Sequence, residues 1–164
     1  MLNALQDNDT PLEYSLSGMD LGPARSRMLA QNVAYNKSVF SIHMARKGIL
    51  DHDGINLAYM LRSNKVLRKL ELEGNNLGPL CAFAFGRVLC ENTALRFLDL
   101  ESNQLTNDGS DFKGVLEMFN FLEHNHTLTS LNIANNCLNE DCGAKLREKL
   151  EFNYTLIDLD YSMN

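Results

Sequence analysis

The strongest constraint on this chain is a recurrence at 28 residues. The stretch 67–78, LRKLELEGNNLG, has apolar residues at Leu67, Leu70, Leu72 and Leu77, with Asn75 two places before the last. Twenty-eight residues on, the same positions hold Leu95, Leu98, Leu100, Asn103 and Leu105; 28 residues back they hold Val39, Ile42, Met44, Lys47 and Ile49. Chance does not account for three superimposable copies, so any fold for this chain must be periodic.

The period extends both ways. A fifth copy has Leu128, Leu131, Ile133, Asn136 and Leu138, and a sixth has Leu156, Leu159, Tyr161 and Asn164. Near the start, Leu16, Leu21 and Gly22 align with Leu72, Leu77 and Gly78, but Met19 stands at the asparagine position and Pro11 at the first leucine. Terminal repeats are commonly atypical in this way. The fourth copy carries a five-residue insertion within Thr106–Gly114, expected to lengthen a loop or add a helical turn.

Each copy has a second half. Apolar pairs four residues apart, Leu29 and Val33, Leu57 and Leu61, Phe85 and Leu89, Met118 and Leu122, Leu146 and Leu150, predict a helix with one buried face. Three residues after each pair comes an asparagine, at 36, 64, 92, 125 and 153. Asparagine tolerates left-handed backbone, so these residues are expected to close the helices. A short strand, a turn and a helix form a unit that buries nothing alone and must stack on its neighbours.

The expected fold class is therefore α/β. It is a right-handed horseshoe solenoid of about five to six units, with parallel strands on the concave face and helices on the convex face. Residues 1–11 read as a loose or capping segment, and 12–164 as a single domain ending partway through a repeat. The last unit supplies Leu156, Leu159 and Tyr161 with no following helix, which predicts an exposed edge able to associate with another copy.

The strand motifs LRKLELEGNNLG, LRFLDLESNQL and LTSLNIANNCL, with helix endings NKVL, NTAL, NHTL and NYTL, resemble the ribonuclease-inhibitor class of leucine-rich repeats. The likeness covers nearly the whole chain, from Leu12 to Asn164. That class includes ribonuclease inhibitor, the Ran GTPase-activating protein and the actin-capping domain of tropomodulin. The resemblance implies a shared scaffold with divergent partners. A non-enzymatic protein-interaction scaffold leads, with a GTPase or enzyme regulator and an actin-end-binding module as alternatives.

Composition narrows the partner. A formal net charge of -6 argues against a general nucleic-acid binder, which needs clustered Lys and Arg, and makes a basic protein surface the easier partner. No apolar run approaches the roughly 20 residues of a membrane span, and the N-terminus lacks a signal-peptide pattern, so a soluble cytoplasmic protein is expected. Cys81, Cys90, Cys137 and Cys142 form no C-x-x-C pair and read as free thiols serving as small hydrophobes.

In a strand, side chains alternate between faces. The residues between the core leucines form outward columns: Ser41, Lys69, Phe97, Ser130 and Asp158; His43, Glu71, Asp99, Asn132 and Asp160; Ala45, Glu73, Glu101, Ala134 and Ser162. Lys69, Glu71, Glu73, Phe97, Asp99, Glu101, Asn132, Asp158 and Asp160 are the expected partner-binding residues, an acidic patch with one large apolar side chain. The competing reading is a solvated face. No catalytic residues, cofactor or metal are expected: phosphate loops and nucleophile motifs are missing, and His124 and His126 lack a third ligand at fixed spacing. Met60, Phe83, Phe85, Met118, Phe119 and Phe121 fall on helices and are assigned mostly to packing.

Overall fold

The computed structural model describes residues 12–16 and 23–164. The expectations for residues 1–11, Met19, Leu21 and Gly22 lie outside that range. Six strands, β1 (Glu13–Ser15), β2 (Ser41–His43), β3 (Lys69–Glu71), β4 (Phe97–Asp99), β5 (Ser130–Asn132) and β6 (Asp158–Asp160), form one parallel sheet in chain order. Between them run five helices, α1 (Pro23–Tyr35), α2 (Asp51–Ser63), α3 (Pro79–Leu89), α4 (Lys113–Met118) and α5 (Glu140–Leu150).

The sheet register follows the sequence period. Ser41 lies opposite Lys69, Lys69 opposite Phe97, Phe97 opposite Ser130, and Ser130 opposite Asp158. The central residue of each inner strand, Ile42, Leu70, Leu98 and Leu131, is buried against the helices, while most of its neighbours in the strand are half-buried on the other face. Both helix-side partners of each apolar pair are buried from α1 to the turn after α4. Burying one such side chain stabilises by about 1.5 to 3 kcal/mol. Successive helices pack on one another in the same order, and α3 meets α4 closely at Gly86, where a Cβ would stand 2.5 Å from the Met118 Cα.

Two asparagine ladders join the units. On the strand side, Asn75 Oδ1 accepts from the Lys47 and Ile49 amides of the preceding unit at 2.9 and 3.1 Å, while its Nδ2 donates to the Met44 and Leu72 carbonyls. Asn103, Asn136 and Asn164 repeat this role. On the helix side, Asn92 Oδ1 accepts from the amides of Ala94 and Leu95, and its Nδ2 donates to the carbonyls of Leu61 and Asn64. Asn64, Asn125 and Asn153 match it.

The helix-side asparagines close the helices with their side chains, not through left-handed backbone: Asn64 is extended, with φ -75° and ψ 125°. The left-handed position lies elsewhere, one residue before each strand-side ladder position, at Arg46, Gly74, Ser102, Asn135 and Met163. Among the five described copies only one uses glycine there, the residue for which that backbone is free of a Cβ clash.

The insertion folds as a tight turn over 105–110 ahead of a shortened α4, which a 3-10 turn, Phe119–Glu123, continues. Buried Thr106 anchors it, its Oγ1 donating to the Asn136 carbonyl at 2.8 Å and accepting from the Gly109 amide. All four cysteines are free thiols. Cys81 and Cys142 are buried as small hydrophobes, but Cys90 and Cys137 are exposed. No helix among the described residues is long and apolar enough to cross a membrane.

Candidate functional site

The register brings the outward columns together as laid out by the sequence. His43, Glu71, Asp99, Asn132 and Asp160 align across five strands, flanked by Ser41, Lys69, Phe97, Ser130 and Asp158. The partnerships within this face are less uniform than a list of acids suggests. Glu71 lies between two bases, 3.1 Å from Lys69 Nζ and 3.3 Å from His43 Nδ1. Glu73 is 3.4 Å from the Arg46 guanidinium. These half-exposed pairs each contribute at most about 1 kcal/mol.

Phe97 is half-buried, with Lys69 Nζ 4.8 Å from its ring centroid. A cation over an aromatic face is attracted by the ring quadrupole. Phe97 is therefore a covered apolar side chain, not a bare one.

Asp99 differs most from the expectation of an outward, solvated side chain. It is on the outward face yet only 7% exposed. Its Oδ1 turns back to accept from the Glu101 amide at 2.9 Å, and Asn132 and Asp160 make the same bond to the amides two residues on. Short polar side chains at the end of these strands thus have a local duty, closing the turn. Burial raises the Asp99 carboxyl above its ordinary range; the Glu101 amide opposes this, and the charges of Glu73, Glu101 and Glu71 reinforce it. Asp160, by contrast, is held below its ordinary range by hydrogen bonds from Ser162.

One carboxylate oxygen from each of Glu73, Asp99 and Glu101 lies within 4.8 Å of the others. Among the described residues these three are the group close enough to share a hard cation, which favours oxygen ligands. Glu101 also accepts from Asn132 Nδ2 at 2.9 Å, and Asp158 accepts from Ser130 Oγ at 2.9 Å. Asp158 and Asp160 are exposed and continue the acidic surface to β6. Arg46 and His43 belong to this face but were not among its expected binding residues. Arg46 sits in a turn whose left-handed backbone is invisible in the repeat pattern, and His43 was placed in its column without a partner.

At the far end, Leu156, Leu159 and Tyr161 are half-buried. Tyr161 donates to the Asn139 carbonyl at 3.3 Å, and burial followed by the proximity of Cys142 pushes its phenol up. Leu159, Tyr161, Leu138, Leu146 and Leu150 line an open hollow of about 1030 Å³ beside α5. His124 and His126 are exposed on a loop.

Parallel strands in sequence order, helices on one side and two asparagine ladders at the repeat spacing define the class of architecture, a leucine-rich-repeat fold. The leucine-rich repeat family matches residues 91–109 and 124–141, each running from a helix-side asparagine region through a strand-side one. Leucine-rich repeat-containing protein 45 of Gallus gallus is 34% identical over 103 residues, which is 62% of this chain and 15% of that protein. Leiomodin-1 of Homo sapiens is 32% identical over 105 residues, again 62% of this chain and 16% of that one. The chain thus spans about a sixth of the length of these relatives. Among solved structures, the leiomodin-1 actin-binding site 2 superposes with a TM-score of 0.72 at 22% identity, covering 93% of this chain and 86% of that one. The tropomodulin C-terminal domain of Caenorhabditis elegans gives 0.71 at 21%, covering 93% and 90%.

Proposed function

We propose that the chain is a non-enzymatic, cytoskeletal protein-binding module. In this reading residues 12–164 act as one domain, a right-handed horseshoe of five to six repeats with the strands inside the curve. Helices about 10 Å across on one side and strands about 4.8 Å apart on the other favour such bending. The binding site is the acidic sheet face, with Lys69, Glu71, Glu73, Phe97, Asp99, Glu101, Asn132, Asp158 and Asp160 meeting a basic partner surface.

The observation that carries this is the crowding of Glu73, Asp99 and Glu101 within 4.8 Å. Like charges held together destabilise a sheet face, and a partner's Lys and Arg would relieve that cost on docking. The structural likeness to the leiomodin-1 actin-binding site 2 makes actin the first partner to test. Co-sedimentation with filamentous actin and filament elongation should both respond to the wild-type chain and fail with the Glu71→Lys, Glu73→Lys, Glu101→Lys triple variant. Equal behaviour of the two chains would contradict the sheet-face assignment.

The hollow beside α5, lined by Leu159 and Tyr161 among others, supports a second reading, association with another copy through these two residues and Leu156. A concentration-dependent rise in sedimentation coefficient, abolished by Leu159→Asp, would support it. A strict monomer at high concentration would exclude it.

A further inference from the structure

The helix side of the first half carries a surface of opposite character. Tyr35, Tyr59 and Phe83 are 78%, 47% and 42% exposed, on α1, α2 and α3 respectively. Phe83 thus departs from the packing role expected of it, whereas Met60, Phe85, Met118, Phe119 and Phe121 are all buried. Each aromatic lies about one helical turn further from its repeat's asparagine than the one before, so the three run diagonally across the helices. Tyr59 joins two hollows, one of about 270 Å³ between α1 and α2 with Tyr35, and one of about 300 Å³ between α2 and α3 with Phe83.

The charges around this groove are one-sided. Arg27 lines the first hollow, and Arg62 and Arg87 line the second. Glu91 is the one carboxylate lining either hollow among the described residues, and it lies 3.3 Å from Arg62. Helices α1 and α3 contain no Asp or Glu. In α2 the acids are confined to the first turn: Asp51 accepts from the Gly78 and Cys81 amides at the start of α3, and Asp53 is buried. Tyrosine and arginine around a groove are the residue types that dominate protein-binding energetics. Scattered single aromatics are ordinary on a surface; these three line two adjoining hollows that share Tyr59 and are edged by arginines.

We propose that this groove binds an acidic, amphipathic helical segment of a second protein. The apolar side chains along one face of that helix would seat against Tyr35, Tyr59 and Phe83, and its carboxylates would face Arg27, Arg62 and Arg87. The occupant is chosen by charge complementarity, and the proposal stands independently of the sheet-face reading.

The test uses a fluorescein-labelled helical peptide with leucines at i, i+3, i+4 and i+7 and glutamates elsewhere. Its anisotropy should rise saturably with the full chain and fall with added salt. A peptide with lysines for the glutamates, and one with the leucines replaced by serine, should not bind. Arg62→Glu with Arg87→Glu, and separately Tyr59→Ser with Phe83→Ser, should each weaken binding at least about tenfold. Circular dichroism must show both variants folded. The sheet-face triple variant should bind as wild type does. No saturable binding would overturn the proposal, as would either groove variant within about twofold of wild type. Binding to phosphatidylserine vesicles in place of the peptide would also overturn it and assign the face to a membrane.

Discussion

The two faces of this molecule rest on one core but follow different sequence rules. The sheet face is in phase with the repeat: Glu71 and Asp99 occupy one column, Glu73 and Glu101 another, so identical positions accumulate identical charge. The helix groove is out of phase, with Tyr35, Tyr59 and Phe83 shifting by a turn from unit to unit. Periodic stacking thus builds a charged face by repetition, whereas an aromatic groove arises by departure from the repeat. The contrast also separates the energetics. Side chains on either face contribute little to stability, so their substitution should move binding, while the leucines and asparagines between the layers should move stability and carry both faces with them.

The largest effect tests that shared core. Leu98→Ala, at a fully buried position in β4, should cost about 2 to 5 kcal/mol in urea denaturation. A loss well under 1 kcal/mol would mean that the layers do not meet there. Asn92→Ala should come next, at about 3 kcal/mol, because the Ala94 and Leu95 amides and the Leu61 carbonyl lose their partner inside the stack. Thermal melts followed on both variants would show whether the two faces lose structure in one transition, as a common core requires.

A smaller effect of opposite sign is expected on the sheet face. The raised Asp99 carboxyl means the folded chain holds that proton more tightly than the unfolded chain does. Its ionisation therefore works against folding, a penalty absent below the ordinary carboxylate range and complete once pH exceeds the raised folded value. Asp99→Asn retains the acceptor for the Glu101 amide and removes the charge. It should stabilise by about 0.5 kcal/mol at neutral pH, with the gain vanishing on acidification. Denaturation at both pH values reads this directly. The smallest effect belongs to the groove: Arg62→Ala breaks an exposed pair with Glu91 and should change stability by less than about 0.5 kcal/mol.

Much of this architecture was legible because the period is a spatial instruction. Residues one repeat apart became strand neighbours, and the amide of Asn75, able to donate and accept, marked a buried polar position bridging units. The insertion is legible because Met118, Leu122 and Asn125 keep their spacing behind it, and the structure has its extra turn at 105–110. Three things were not legible. Among the described copies, the left-handed position before the strand-side ladder residue carries Arg46, Gly74, Ser102, Asn135 and Met163, residue types too different to signal one conformation. The fold of Asp99 back onto the Glu101 amide depends on the local turn, and strand alternation alone reports only which face it occupies. The helix groove was hidden because a template tuned to 28 residues treats Tyr59 and Phe83 as unrelated, and Phe83 passed for packing.

The proposed function depends on the sheet face, and co-sedimentation with filamentous actin tests it most directly. The wild-type chain should pellet with filaments in a salt-sensitive, saturable manner, and the Glu71→Lys, Glu73→Lys, Glu101→Lys variant should stay in the supernatant while remaining folded. Absence of wild-type binding would contradict actin as the partner; equal pelleting of both chains would contradict the sheet face as the site.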